Sequence, residues 1–403
     1  MVRRKLERYL RVLAVLPALG MLVVPTFAFV PREVHNDLDR LAFADPNLRV
    51  VETPTNADEI RDGLPGVAAI DAFRAANGSA WSFIVDERRG VTSLLGGGAF
   101  PFLPGHSSTL SWEELTPGCR SNTCIPVAVA EAKARDFLAH NRPIFQVDPA
   151  DLELDPDGSG AFGQSIYLLR FQWKPGGVPV ERGSIFFRIS GGNLIQVVTE
   201  RVAPLMLDPQ PRLDVTAAWQ VLDDYLGPYQ NGKDEIVDAG TLRFVPVTPP
   251  TMDPDSFSGP IGSGISYRLA WRLAFARPGL TGTWEALVDA TSGELIRFVD
   301  VNRYGRIHGG AYPGDNHVGE ADRAFPFADT GLPAPDEYAD AAGLFPGDNA
   351  TTTLKGKYTW INDSCGAINN TTTTGDVDFS LGLGTDCDVP SPNSGGAGNT
   401  HSS

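Results

Sequence analysis

Histidine is scarce in this sequence, with six in 403 residues, and none is followed by the Glu-x-x-His that would set two imidazoles and a general base on one helix face. Zinc hydrolysis of that helical kind is therefore excluded for these residues. The nearest pair, His308 and His317, lies in a Gly- and Pro-rich stretch and reads as solvated loop. Positive charge is also short: 33 Lys plus Arg stand against 49 Asp plus Glu, a formal charge of -16. Nucleic acid and anionic membrane surfaces attract basic patches, so neither is an expected partner. Beyond the N-terminus no apolar run approaches the roughly 20 residues that a membrane-spanning helix needs.

At the N-terminus Arg3, Arg4, Lys5, Arg8 and Arg11 precede an apolar run from Val12 to Val24, interrupted by Pro17 and Gly20. A basic start, a short apolar core and a small-residue site at Thr26-Phe27-Ala28 form the pattern of a cleaved signal peptide over 1–28. The mature, secreted chain then starts at Phe29, extracellular or periplasmic, with no membrane contact after cleavage. Only four cysteines are present. In an exported chain an even set suggests disulfides, and local pairing of Cys119 with Cys124 and Cys365 with Cys387 is the simplest of the three connectivities left open. Cys119-x4-Cys124 has no neighbouring ligands to complete a zinc site.

With 42% hydrophobic residues and 7 Trp, the chain can bury more than one core. Residues 29–110 read as an N-terminal module containing a hairpin, Trp81 to Asp86 and Val91 to Leu95. Pro101, Pro104, Pro117 and the Cys119–Cys124 loop read as a linker, because proline removes ladder donors. In 125–210 a helix begins at Pro126, with Val127, Ala130, Ala134, Phe137 and Leu138 on one face. Strands Ile166–Trp173, Val178–Ser190 and Leu194–Val202 follow, joined by short glycine-containing turns. In 211–302 the order repeats: a helix Val215–Leu226, then strands near Leu242–Val247, Ser266–Ala276, Trp284–Ala290 and Leu295–Val301. The expected class is α+β, two helix-on-antiparallel-sheet modules with Phe137, Phe171, Trp219 and Trp284 in their cores.

Residues 303–403 are loop-rich and acidic, with 13 Asp plus Glu against 5 Lys plus Arg, so half the net charge lies there. Short strands are expected at Leu354–Ile361 and Val377–Leu381, held by a Cys365–Cys387 bridge. The sequence stops in a run of Ser, Gly, Asn and Thr with no closing element, as in a chain cut short.

One repeat stands out: Trp81-x4-Asp86-x3-Gly90 and Trp284-x4-Asp289-x3-Gly293 share their spacing. The expected role is structural, with Trp under the sheet, Asp bonding its own turn and Gly supplying positive φ. Three other patterns are decoys. Gly105-His-Ser-Ser-Thr109 lacks the second glycine of a nucleophile elbow. Gly227-x4-Gly232-Lys233 has Asp234 in place of the phosphate-loop Ser or Thr. Asp155-x-Asp157-x-Ser159 opens like a calcium loop, but Ile166 occupies the position of the bidentate Glu.

The stretches Tyr167-Leu-Leu-Arg170-Phe-Gln172-Trp173 and Gly177-Val-Pro179-Val-Glu-Arg-Gly183 resemble the fungalysin/thermolysin propeptide motif. Leu269-Ala-Trp271 and Trp284-Glu-Ala-Leu-Val-Asp289-Ala-Thr-Ser-Gly293 are similar to the PepSY-type propeptide module. Ile307-His-Gly-Gly310 resembles the segment that leads into the peptidase domain. The resemblance covers roughly Asp37 to Val301 and implies the pro-region of a secreted zinc metallopeptidase: an intramolecular inhibitor and folding chaperone whose partner is the peptidase domain in cis. Arg170, Gln172, Gly177, Pro179, Trp284, Asp289 and Gly293 carry the motif as structural residues. No catalytic, metal or cofactor residue can be carried over, and zinc, with calcium as a second candidate, belongs to a catalytic domain absent from this sequence. A free-standing secreted inhibitor and a structural or ligand-binding cell-surface protein are the alternatives.

Overall fold

The computed structural model describes residues 37–163, 165–227, 234–280, 282–311, 321–333, 336–358, 360–363, 367–379 and 400–402. The expected signal peptide and the Cys365–Cys387 bond lie outside the described residues. In chain order the elements are β1 (Phe43–Ala44), β2 (Pro54–Asn56), α1 (Val67–Asn77), β3 (Ser82–Asp86), β4 (Val91–Gly96), β5 (Phe100–Pro101), α2 (Trp112–Leu115), α3 (Val127–His140), α4 (Arg142–Phe145), β6 (Leu152–Leu154), β7 (Gly160–Phe162), β8 (Ile166–Trp173), β9 (Ser184–Ser190), β10 (Asn193–Glu200), α5 (Val215–Leu226), β11 (Glu235–Val247), β12 (Ser266–Ala276), β13 (Trp284–Asp289), β14 (Leu295–Asp300), β15 (Arg303–Ala311), β16 (Ala321–Ala324), β17 (Leu344–Pro346), β18 (Ala350–Thr352), β19 (Ile361–Asp363), β20 (Asn370–Thr372) and β21 (Asp376–Asp378). Helices and antiparallel sheets make the class α+β.

A nine-stranded sheet runs β2-β3-β4-β10-β9-β8-β6, with β5 added beside β10 and β7 beside β8. Strand periodicity sets its two faces. In β8, Tyr167, Leu169, Phe171 and Trp173 are buried, while Arg170 between them is exposed. The buried face receives Ala130, Ala134, Phe137 and Leu138 of α3 with Ile70 and Phe73 of α1, residues that recur at helical spacing. Phe137 is the hub, with ring centroids 5.8 Å from Phe145 and 5.9 Å from Phe187.

The second sheet is five-stranded, β1-β14-β13-β12-β11, and α5 lies on one face. Ala218 and Leu222 of α5 pack with Leu273, Phe275, Trp284, Val288 and Phe298. Trp219 is partly buried at the edge of this cluster, its indole N–H donating to Ala239 O at 2.8 Å. The helix begins with the Asp214 carboxylate accepting from the Ala217 N–H at 2.8 Å, an N-cap that satisfies one orphan donor.

The two Trp-Asp-Gly repeats form the hairpins β3–β4 and β13–β14, one in each sheet. Asp86 accepts from the Arg88 N–H, and Asp289 from the N–H groups of Thr291 and Ser292. Gly90 and Gly293 take φ of 66° and 78°, where a side chain would be strained. Trp81 and Trp284 are buried at the opposite end of each hairpin from its turn.

Two stretches differ from the sequence reading. The expected linker supplies core: Phe100–Pro101 pairs with Leu194 and Asn193, and Phe102 and Leu103 are buried with both N–H groups donating to Gly192 O. A two-residue edge strand tolerates proline's missing donor, which is why proline content misled there. In the tail, Arg303–Ala311 is a continuous strand despite three glycines. Gly305 lies against the Phe345 ring, where a Cβ would stand 2.1 Å from a ring carbon, and Gly309 against Phe379. These glycines serve close approach rather than turning. A small separate core of Ile307, Phe345, Leu354 and Val377 holds the tail.

Leu103 tests the linker difference. A residue in a solvated linker can be truncated at a cost within about 0.5 kcal/mol, whereas Leu103→Ala is expected to destabilise by about 2–4 kcal/mol in urea unfolding. A change under 0.5 kcal/mol would restore the linker reading.

Candidate functional site

The polar residues that the fold concentrates lie where the sheets and the tail meet. The face of the five-stranded sheet opposite α5 is apolar at one end, with Leu48, Val245, Val247, Ala270, Leu287 and Ile296. At the other end it carries a charge ladder. Arg297 of β14 bonds both oxygens of Glu181 at 2.8 and 3.3 Å and reaches Glu285 of β13 at 2.5 Å. The second oxygen of Glu285 accepts from Arg272 of β12, whose other arm reaches Asp238 of β11 at 2.7 Å. Glu181 comes from the other sheet, in the loop joining β8 to β9.

That loop is the stretch that resembles the propeptide motif. Gly177 takes φ of 83°. Pro179 O accepts from the Phe244 N–H at 2.9 Å, and the Glu181 N–H donates to Phe244 O at 2.8 Å, so the loop adds to β11 through a parallel bridge at Val180. Gln172 braces it from β8, its amide donating to Val180 O and Gly183 O at 2.8 Å each. Asp289 is bound to Arg268 at 2.6 Å. Gln172, Gly177 and Pro179 thus belong to the joint between sheets, whereas Asp289 is held within its own sheet, Trp284 packs in the core beneath α5 and Gly293 turns the β13–β14 hairpin. Arg170 stands apart on the exposed face of β8, its Nε 3.9 Å from Asp155. Cys119 and Cys124 are bonded to one another.

A second joint is the turn of β3–β4. Arg89 is buried, paired with Asp86 at 2.5 Å and donating to Thr199 O at 3.2 Å. Arg88 is buried too, and one of its nitrogens donates to the carbonyls of Asp253, Pro254 and Ser256 at 3.0, 3.0 and 2.8 Å, with the guanidinium over the Phe257 ring. A third joint holds the tail. Glu200, at the end of β10, receives Lys357 at 2.7 Å, Ser184 at 3.1 Å and the Tyr358 hydroxyl. Arg182 and Asp336 pair nearby at 3.0 Å.

Burial works to raise the pKa of Glu181, but Arg297 outweighs it and holds the carboxyl at about 2. Glu200 is likewise raised by burial and pulled down to about 2 by Lys357 and its hydrogen bonds. Carboxylates so tightly held are poor proton acceptors near neutral pH, so the network binds and orients rather than moving protons. Among the described residues no group of three or more His, Cys, Asp or Glu is placed to hold a metal ion. Asp155 spends its Oδ1 on the N–H groups of Asp157 and Gly158, which makes that segment a turn.

Sequence reasoning missed Arg297, Glu285, Arg272, Arg88, Arg89 and Glu200. The available signal was charge at the core-facing phase of otherwise apolar strands, as in Trp284-Glu285-Ala-Leu and Leu295-Ile-Arg297-Phe.

These carboxyls predict an acid transition. Their folded pKa values lie below the usual 4.5, so each stabilises the fold fully above pH 4.5 and loses that contribution as pH falls toward 2. The two shifts correspond to about 3 kcal/mol each at neutral pH. Melting temperature should therefore fall steeply from pH 5 to pH 3, and Glu200→Gln should flatten part of that fall while loosening the tail. A melting temperature constant over that interval would contradict the role of both pairs.

No family model matches this chain, and no curated protein does. Among solved structures the Bacillus megaterium YpeB C-terminal domain aligns over 55% of this chain and 77% of its own, with 12% identity and a TM-score of 0.25. At that score the likeness defines no shared fold and carries no argument about family.

Proposed function

We propose that this chain is the exported pro-region of a secreted zinc metallopeptidase, inhibiting and helping to fold a peptidase domain tethered to it. The observation that carries this reading is the position of the resembling residues. Of these, Gln172, Gly177 and Pro179 build the joint between two sheets, which suits a body that presents a surface to a partner. A disulfide at Cys119–Cys124 fits an oxidising, exported setting.

The surface we assign to the peptidase is the side of the nine-stranded sheet that the helices leave bare. Ser82, Ile84, Leu94, Arg188, Ile195 and Gln196 line a groove of about 500 Å3 there. Ile84 lies opposite Leu94, and Leu94 opposite Val198, so side chains from three strands share one row. A covalent tether supplies an effective concentration near millimolar, so a weak contact on this face stays closed in the precursor. A preformed sheet also lowers the barrier to folding of a partner that depends on slow unfolding for its persistence.

The test is inhibition in trans. Residues 29–403 should cleave no peptide and should slow the cognate mature peptidase, less effectively than when tethered. Leu94→Asp should weaken inhibition tenfold or more without changing the melting temperature. Unchanged peptidase activity at high micromolar pro-region, together with normal folding of a precursor lacking it, would remove the basis for the proposal.

A further inference from the structure

Between β10 and α5 the chain crosses from one sheet to the other through residues 201–214, without regular structure. Its ends are anchored. Arg201 O accepts from Tyr267, Val202 O from Arg89, and the N–H groups of Arg212 and Leu213 donate to Ala290 O. Between these anchors the backbone is free: among the described residues, Leu205, Met206 and Leu207 have no backbone hydrogen-bond partner. Pro204, Pro209 and Pro211 fix φ near the extended range and keep the stretch from coiling into helix.

The side chains sharpen the contrast. Leu205 packs against the large core. Met206 is 99% exposed and Leu207 38%. Other exposed large apolar residues sit in paired or helical elements, Phe162 in β7, Tyr225 in α5, Ile236 and Val237 in β11, while Tyr358 is tied to Glu200 and Trp360 bridges Lys355. Met206-Leu207 therefore combines irregular backbone outside any helix or strand, unpaired amides and two accessible apolar side chains. Endopeptidases bind substrate as an added strand, with backbone bonds for affinity and pockets for alternate side chains. Here no backbone hydrogen bond has to break for the chain to be bound in that way, whereas within the helices and strands described above cutting requires an opening step that lowers the rate by the open fraction.

We infer that the Met206–Leu207 bond is the primary scission site of this chain, taken by an endopeptidase whose pocket accepts a long apolar side chain. Water oxygen adds to the Met206 carbonyl carbon and the C–N bond to Leu207 breaks, leaving a carboxylate on Met206 and an ammonium on Leu207. The product is a nicked complex of two pieces, 29–206 and 207–403, held by Arg297 on Glu181, by Arg88 on the 253–256 carbonyls and by β1 on β14. The inference concerns the chain itself and does not depend on the function proposed above.

The experiment is limited digestion of the full chain with thermolysin, which cuts on the amino side of large apolar residues, at a low ratio, read by intact mass and N-terminal sequencing, then gel filtration at neutral pH. The first products should end at Met206 and begin at Leu207, and they should elute together. Leu207→Pro turns the bond into one before proline, and because the Leu207 N–H has no partner the fold should keep its melting temperature. That variant should be cut at this site at least tenfold more slowly, with later cuts unaffected. A first cut elsewhere, or equal cutting of Leu207→Pro, overturns the site; separation of the nicked pieces at neutral pH overturns the two-piece complex.

Discussion

Arg297 is the side chain on which the two sheets converge. Its fork spans Glu181, from the loop that leaves the nine-stranded sheet, and Glu285, from the neighbouring strand of its own sheet. Arg297 is largely but not fully shielded, and removing it would strand two carboxylates; breaking one partner of a fully buried group costs about 3–5 kcal/mol, which is the upper bound here. The geometry of the joint follows from this fork. With Glu181 held, the 178–183 loop lies along β11, the Val180 bridge forms, and Gln172 can brace the loop from behind. Burial pushes the Arg243 guanidinium below its usual pKa, an effect that the nearby carboxylates of Glu181 and Glu285 partly offset.

The β3–β4 turn makes an independent link. Most tight turns are exposed, but this one has two buried arginines pointing in different directions, Arg89 back into its own sheet at Thr199 and Arg88 forward to the 253–256 loop. Gly90 lies against Gly262, with no space for a side chain at position 90: a Cβ there would stand 2.9 Å from the Gly262 Cα. The Asp-x3-Gly spacing here serves a turn that must both reverse the chain and dock. In the second repeat the same spacing serves reversal, with Asp289 tied to Arg268 of its own sheet.

Much of the fold was legible because it rests on local signals. The helix Val215–Leu226 and the strands Ile166–Trp173 and Ser266–Ala276 have clear periodicity and firm stops, and their bounds agree with the expectation. Sheet membership was less legible. Strands on either side of the proline-rich stretch join one sheet, with β4 lying beside β10, a pairing of distant segments that no local pattern encodes. Composition also misled at Phe100–Leu103 and at Arg303–Ala311, where proline and glycine meet edge and packing needs rather than turn needs. The charge ladder was the least legible feature. A charged residue in an apolar strand reads as a solvent-facing position until the partner from another strand is known, and Glu181 lies 116 residues from Arg297.

The choice of charge over oil at these joints has a consequence for what the molecule can be. Well-packed apolar side chains would hold the sheets together at least as firmly, since desolvating ions offsets much of their attraction. An apolar joint tolerates several packings of similar energy, whereas a bidentate fork is satisfied in one geometry. Orientation between the sheets is thus specified more strongly than their cohesion. A body whose bare sheet face must match another surface depends on that orientation, because interface affinity comes from complementarity rather than area. The same ion pairs open in acid, when the carboxyls of Glu181 and Glu200 take up protons that the folded state resists. Rigidity at neutral pH and release under acid are therefore two outcomes of one set of residues, and an apolar joint would supply neither the single geometry nor the dependence on protons.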